Sequence, residues 1–85
     1  MAISATIADP RVTDVRITPE MLIVTLRDGR SVSAPLNWFP KLKAATAEQR
    51  NAWEPSAAGH GIHWPLIDED LSVEGLFRGQ PAPQF

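Results

Sequence analysis

An Asp28-Gly29 pair between two segments with strand character restricts the fold of this chain more than any other feature. Residues 21–26 precede the pair and are rich in β-branched and aliphatic side chains, and residues 30–34 follow it. An Asp-Gly pair in this setting is typical of a β-hairpin. The sequence therefore predicts two antiparallel strands joined by a tight turn.

The length of the hairpin loop follows from which residues would share a face of the sheet. A two-residue loop places apolar residues opposite polar ones. A three-residue loop over 27–29 instead pairs apolar residues with each other, Val24 with Val32 and Leu22 with Ala34. Because register follows the hydrophobic face, we predict the three-residue loop. Gly29 then occupies the left-handed position that this loop type requires.

A further strand is predicted in front of the hairpin. Apolar and polar residues alternate over 11–18, with Thr13, Val15 and Ile17 on one face. This period of two is typical of a half-buried strand. Pro35 ends the last strand, so the first part of the chain is expected to form a three-stranded antiparallel meander.

Capping signals divide much of the remaining chain into short helices. Asn37 can cap the first helix, and Thr46 with Gln49 forms a capping box for the second. Ser72 caps the last helix, which Gly79 ends. The side chains expected to pack on the sheet are Trp38, Leu42, Leu76 and Phe77.

The order of these elements predicts an α+β fold. We expect an antiparallel β-sheet, made of the three-stranded meander plus one or two further short strands in 54–64, with two to three short helices packed on one face. A loosely ordered N-terminal arm is expected over 1–10, a single domain over 11–79 and a flexible C-terminal tail over 80–85.

Composition argues against several classes of function. The 85 residues include eight basic and ten acidic ones, which gives a formal charge of −2, and no cysteine. Mild acidity with scattered basic residues argues against binding to duplex nucleic acid. No apolar run reaches the roughly 20 residues of a membrane span. Without cysteine there is no disulfide or thiolate chemistry, which favours a cytoplasmic location.

Residues 59–72 concentrate the chemically versatile side chains, namely both histidines and three consecutive acids. His60 and His63 with Asp68 or Asp70 would supply nitrogen and oxygen ligands suited to zinc or a similar ion. The spacing matches no metal motif, and an extended backbone between the histidines would point them to opposite faces. The competing interpretation is that the acids precede the last helix, where carboxylates stabilise the N-terminus.

Catalysis without a metal has little support in the sequence. No serine lies in a nucleophile elbow. A glycine-rich phosphate-binding loop is also missing. We therefore expect no enzymatic activity, no bound cofactor and no metal.

Three stretches, over 26–30, 45–54 and 61–76, carry a family resemblance. The last begins with the unusual run Gly61-Ile62-His63-Trp64-Pro65. Together they resemble the bacterial family known as domain of unknown function 2442. The chain departs from the family pattern at His60, where an aromatic residue is common.

The resemblance implies a small α+β domain with an antiparallel sheet and no established enzymatic activity. It also implies a partner, because members are similar to one component of two-gene modules of the toxin–antitoxin type. A second small protein encoded nearby is therefore the expected partner, and neither a membrane nor direct contact with nucleic acid is expected.

We predict a non-enzymatic interaction module, an antitoxin-like or regulatory partner of that second protein, whose basic surface would suit the acidic charge. The expected contact residues are His63, Trp64, Asp68, Glu69 and Asp70. Two alternatives stay open, a metal-assisted hydrolase that uses His63 with Asp68 or Asp70 and a small-ligand-binding domain. The 61–76 motif also fits a role in folding, and an exposed edge strand would allow a homodimer.

Overall fold

The computed structural model describes residues 7–79, in which six strands, three short helices and two 3₁₀ turns follow one another. The strands are β1 (Val12–Ile17), β2 (Met21–Leu26), β3 (Ser31–Pro35), β4 (Glu54–Ser56), β5 (Gly61–Trp64) and β6 (Glu69–Ser72). The helices are α1 (Pro40–Ala44), α2 (Ala47–Asn51) and α3 (Val73–Arg78), and the 3₁₀ turns are Leu36–Trp38 and Ala57–Gly59. The predicted α+β fold is confirmed. Residues 1–6 of the expected arm and the expected tail over 80–85 lie outside the described residues.

The strands form two antiparallel sheets of three strands each. β1, β2 and β3 make the first sheet in that order, and β4, β5 and β6 make the second. β4 and β5 correspond to the extended segments expected over 54–64. Across the described range, strands pair only with their neighbours in sequence, so side-chain packing holds the two sheets together.

The predicted three-residue loop between β2 and β3 is confirmed. The register pairs Val24 with Val32, and the next residue pair on the same face of the sheet is also apolar. The Leu26 N–H donates to the carbonyl oxygen of Arg30 at 2.9 Å and closes the loop. Gly29 has a φ of 90°, which a residue without a Cβ adopts at little cost.

A β-bulge changes which residues of β1 face the core. The register with β2 shifts between Val12 and Asp14, which leaves Thr13 as the extra residue. Val12 is buried, whereas Thr13 is exposed and donates its hydroxyl to the carbonyl oxygen of Thr25 at 3.2 Å. The expectation that Thr13 lies on the apolar face is therefore wrong, because the bulge turns Val12 inward instead.

The first helix begins later than the sequence predicts. Leu36–Trp38 form a 3₁₀ turn, and α1 begins with Pro40 in its first turn. Asn37 caps no helix, and its side chain accepts a hydrogen bond from Lys43. Pro40 explains why the helix begins later, because proline favours the first helical position and disfavours helical geometry in the residue before it.

The capping signals of the other two helices are confirmed. Thr46 Oγ1 accepts from the Gln49 N–H at 3.1 Å, and Gln49 Oε1 accepts from the Thr46 N–H at 2.8 Å. Ser72 Oγ accepts from the Gly75 N–H at 2.9 Å, and Gly79 ends α3 with a φ of 74°. In the described range, these helices are too short to serve as membrane spans.

The acids expected to precede the last helix lie mainly in a strand. Glu69 and Asp70 begin β6, which pairs with β5 and thereby helps to cover Ile62 and Trp64. Their assignment to a helix start is wrong. Burying a large apolar side chain such as Ile62 contributes about 1.5–3 kcal/mol to stability. A carboxylate near a helix N-terminus contributes only about 0.3–1 kcal/mol.

Both sheets, α1 and α3 contribute to one core. Its buried side chains are Val12, Leu22, Val24, Leu26, Ala34, Leu36, Phe39, Leu42, Ile62, Trp64, Val73 and Leu76. Leu42 and Leu76 lie in the core as expected. The expected core position of Phe77 is wrong, because α3 points Leu76 inward and leaves Phe77 47% exposed.

Candidate functional site

The β5–β6 hairpin carries all five residues that the sequence predicts for partner contact. Successive residues of a strand point to opposite faces, and directly paired residues of neighbouring strands share a face. His63 pairs with Glu54 on β4 and with Asp70 on β6, so these three share the outer face of the second sheet. Trp64 and Glu69 pair with each other and lie on the inner face.

The two inner residues are part of the folded interior. Trp64 is 0% exposed, and its Nε1–H donates to the carbonyl oxygen of Arg50 at 3.1 Å. Glu69 is 8% exposed, and its Oε1 accepts from the Asp70 N–H at 3.1 Å. Of the five predicted contact residues, the structure thus presents His63, Asp68 and Asp70 toward solvent.

His63 and Asp70 form a cross-strand pair. Nδ1 of His63 lies 2.8 Å from Oδ1 of Asp70, and the two side chains are 28% and 68% exposed. Exposed pairs of this kind contribute about 0–1 kcal/mol to stability. The main effect of the pair is therefore to orient the imidazole ring of His63. Its Nδ1 faces the carboxylate of Asp70, and its Nε2 is left for other contacts.

The turn between β5 and β6 is fixed at its base and exposed at its tip. Leu66 is 56% exposed. Asp68 has a φ of 52°, in the left-handed region that aspartate tolerates better than most residues. Nζ of Lys41 donates to the carbonyl oxygen of Asp68 at 2.8 Å and ties the turn to α1. The turn thus presents an apolar side chain beside a carboxylate.

Comparison with known families decides the relationship that the 61–76 motif suggests. The sequence pattern of the family described as Protein of unknown function (DUF2442) matches residues 12–82. The chain belongs to the DUF2442 family. A search of curated proteins gives no match.

Two solved structures resemble this DUF2442 protein. The crystal structure of a protein of unknown function from Rhodospirillum rubrum is 30% identical, with a TM-score of 0.71, and the match covers 87% of this chain and 92% of that one. The solution NMR structure of an uncharacterised protein from Chromobacterium violaceum is 23% identical, with a TM-score of 0.71, and the match covers 86% and 69%. The second match shows the shared fold alone.

The outer face of this DUF2442 domain brings two of the predicted metal ligands into contact, His63 and Asp70. His60 precedes β5 and lines a groove against α3, and Asp68 lies in the turn. Within residues 7–79, no three histidine, aspartate or glutamate side chains come together as a metal site requires. Catalytic zinc sites use three protein ligands, and the pair of His63 and Asp70 supplies two.

Sequence reasoning missed a second cluster of charges in this DUF2442 chain, built from two Asp-x-Arg triplets. Asp9 accepts from Nε and Nη2 of Arg11 at 2.9 and 2.8 Å, and Asp28 accepts from Nε of Arg30 at 3.0 Å. The Asp9 N–H donates to Oδ2 of Asp28 at 2.9 Å, which fastens the chain before β1 to the hairpin loop. The Asp-x-Arg spacing alone does not indicate this cluster, because Asp14 and Arg16 share that spacing without forming a salt bridge within residues 7–79.

These two triplets predict an acid-sensitive contribution to stability. The hydrogen bond from Arg11 lowers the pKa of Asp9 from 3.8 to about 2, and that from Arg30 lowers the pKa of Asp28 from 3.8 to about 2. Both pKa values are lower in the folded state, so the contribution is complete above about pH 4 and is lost toward pH 2. We expect the urea midpoint of the wild type to fall more steeply over this range than that of Asp9→Asn/Asp28→Asn, with the two converging near pH 2.

The matched control for this measurement is Asp14→Asn. Asp14 is an exposed residue of β1 whose carboxylate makes no hydrogen bond to another part of residues 7–79. Its variant should therefore follow the wild-type curve. Parallel curves for the wild type and the double variant would contradict the assigned role of the two triplets.

Proposed function

We propose that this protein is a small non-enzymatic interaction module that binds another protein through the β5–β6 hairpin. The contact surface, here named the hairpin surface, consists of His63, Leu66, Asp68 and Asp70. The observation that carries the proposal is an exposed leucine beside two exposed acidic residues on a hairpin anchored in the core.

The hairpin surface combines an apolar anchor with a polar rim. Leu66 is exposed while Ile62 and Trp64 of the same hairpin are fully buried. Protein interfaces are commonly built from a central apolar contact that a polar rim surrounds. The contacts of Trp64 and Lys41 hold the hairpin in one arrangement, and a preorganised surface loses less entropy on binding.

The charge of the hairpin surface favours a basic partner. Asp68 and Asp70 are exposed, and Glu54 shares the outer face of the sheet with His63. Complementary charges speed association and select among partners. A basic protein surface, such as that of an RNA-binding or RNA-cleaving toxin, fits this pattern, in line with an antitoxin-like or regulatory role.

The test is co-purification of the tagged protein at native expression level, followed by mass spectrometry. Asp70→Asn removes a charge and keeps an oxygen that accepts from His63, and asparagine at position 68 tolerates the left-handed backbone. We expect the wild type to retain one near-stoichiometric basic protein. The Asp68→Asn/Asp70→Asn variant should retain it at least about tenfold less well, because two of the acidic charges that face the basic partner are removed.

Asp14→Asn/Glu48→Gln is the matched control, since it removes two charges from other exposed positions. The control should retain the partner as the wild type does. Binding of the purified partner is then measured by calorimetry at low and high salt, together with Leu66→Ala, which should weaken binding without loss of stability. Equal binding by the wild type and Asp68→Asn/Asp70→Asn, or the absence of any partner, would contradict the proposal.

A further inference from the structure

A groove separate from the hairpin surface lies between α3, the 3₁₀ turn at Ala57–Gly59 and the β2–β3 loop. Its volume is about 560 Å³. The lining side chains that matter for binding are Arg30, Ala57, His60, Val73, Glu74 and Phe77. Sites for small molecules commonly measure about 300–1,000 Å³ and combine apolar walls with a few polar groups.

Phe77 forms the apolar wall of the groove. It is 47% exposed, although Val73 and Leu76 of the same helix are buried. The guanidinium carbon of Arg30 lies 5.3 Å from the centre of its ring, within the range of a cation–π contact. A flat apolar group in the groove could therefore pack beside both the ring and the arginine.

The polar groups of the groove differ in whether they already have partners. The carboxylate of Glu74 accepts from Nη2 of Arg78 at 2.6 Å. Nε and Nη2 of Arg30 face Asp28. Within residues 7–79, neither Nη1 of Arg30 nor the ring of His60 has a hydrogen-bond partner. Nη1 of Arg30 can only donate, and the imidazole ring of His60 carries at least one N–H, so the pair can offer two donors to an anionic ligand.

The wall opposite α3 has an unusual backbone. Ala57 and Ala58 have φ angles of 49° and 57°, and Gly59 follows with 93°. Residues with a Cβ rarely adopt this left-handed region, and such conformations are concentrated at functional sites.

We propose that this groove binds a small organic anion, a carboxylate attached to a flat apolar body. The apolar body packs against Phe77, and the carboxylate accepts hydrogen bonds from Nη1 of Arg30 and from His60. The proposal uses none of the residues of the hairpin surface, so it stands or falls independently of the proposed function.

The test is a titration of the ¹⁵N-labelled protein at neutral pH, followed by amide chemical shifts. The probes are 3-phenylpropionate, its neutral amide 3-phenylpropanamide and the cation 3-phenylpropylamine, with benzoate and indole-3-acetate as smaller and larger carboxylates. We expect a carboxylate to shift the amides of 57–60 and 73–77. 3-Phenylpropionate should bind at least about tenfold more tightly than its amide, because a charged acceptor strengthens both hydrogen bonds.

Two variants locate the binding. Phe77→Ala and His60→Ala change exposed side chains, so both should fold and both should weaken binding of 3-phenylpropionate at least about fivefold. Leu66→Ala, on the hairpin surface, should bind as the wild type does. The proposal is overturned if no carboxylate shifts the groove amides, if the amine binds as tightly as the carboxylate, or if Phe77→Ala binds unchanged.

Discussion

Replacing Trp64 by alanine is expected to remove a large fraction of the protein's free energy of unfolding. Its side chain is fully buried beneath the β5–β6 hairpin. Removing a large aromatic side chain from a core costs about 3–5 kcal/mol, and a domain of 85 residues has a total stability of about 4–13 kcal/mol. Urea unfolding followed by far-ultraviolet circular dichroism measures the loss without relying on tryptophan fluorescence.

Two further variants separate the contributions of Trp64. Trp64→Phe retains most of the apolar volume and leaves the carbonyl oxygen of Arg50 without its donor, so it should cost about 1–2 kcal/mol. Trp53 is half-buried, and Trp53→Ala should cost less than Trp64→Ala. A loss at Trp64 no larger than that at Trp53 would contradict the burial described for the hairpin.

Phe39→Ala is expected to destabilise the protein more than Trp38→Ala, although tryptophan is the larger residue. Phe39 is 0% exposed, whereas Trp38 is half-buried. The rings meet edge to face, with centroids 6.5 Å apart. We expect a loss of about 3–5 kcal/mol for Phe39→Ala and a smaller loss for Trp38→Ala, because part of the Trp38 side chain stays in contact with water.

This comparison tests whether α1 begins at Pro40 or earlier. If a helix began at Asn37, Trp38 and Leu42 would share its inner face and Trp38 would be the core residue. Because α1 begins at Pro40, Phe39 occupies that position instead. Equal losses for the two alanine variants, or a larger loss at Trp38, would favour the helix that starts earlier.

The features that the sequence predicted correctly depend on neighbouring residues. Gly29 specifies the hairpin loop through its own backbone freedom, and Thr46 and Gln49 form their capping box within one turn. Ser72 and Gly79 bound α3 in the same way. The hairpin loop, the capping box and the ends of α3 are each closed by hydrogen bonds between residues three or four positions apart. A short window of sequence contains both partners.

The features that the sequence missed depend on residues far apart in the chain. Arg50 donates from Nε to the carbonyl oxygen of Leu42 and from Nη2 to that of Lys43, at 3.0 Å each, and its own carbonyl oxygen accepts from Trp64. Nothing near Arg50 in the sequence indicates these contacts. β6 follows β5 after only four residues and was missed for a different reason, because its acidic residues are also typical of a helix N-terminus.

For the candidate site, the sequence indicates a segment but not which of its residues face solvent. The composition of 61–76 singled out the hairpin, yet adjacent residues of a strand face opposite ways. His63 therefore lies at the surface, while Trp64 lies in the core. Only the pairing register shows which of two neighbours faces solvent.

The pairing of every described strand with its neighbour in sequence has a consequence for how fast the chain folds. The loops within the two meanders are three or four residues long, and the entropy lost on closing a loop increases with its length. Each meander can therefore form its hydrogen bonds early, after which docking of the two sheets completes the core. Chains dominated by such local contacts fold on the order of milliseconds or faster. A newly made copy thus exposes its apolar core residues to other chains only briefly.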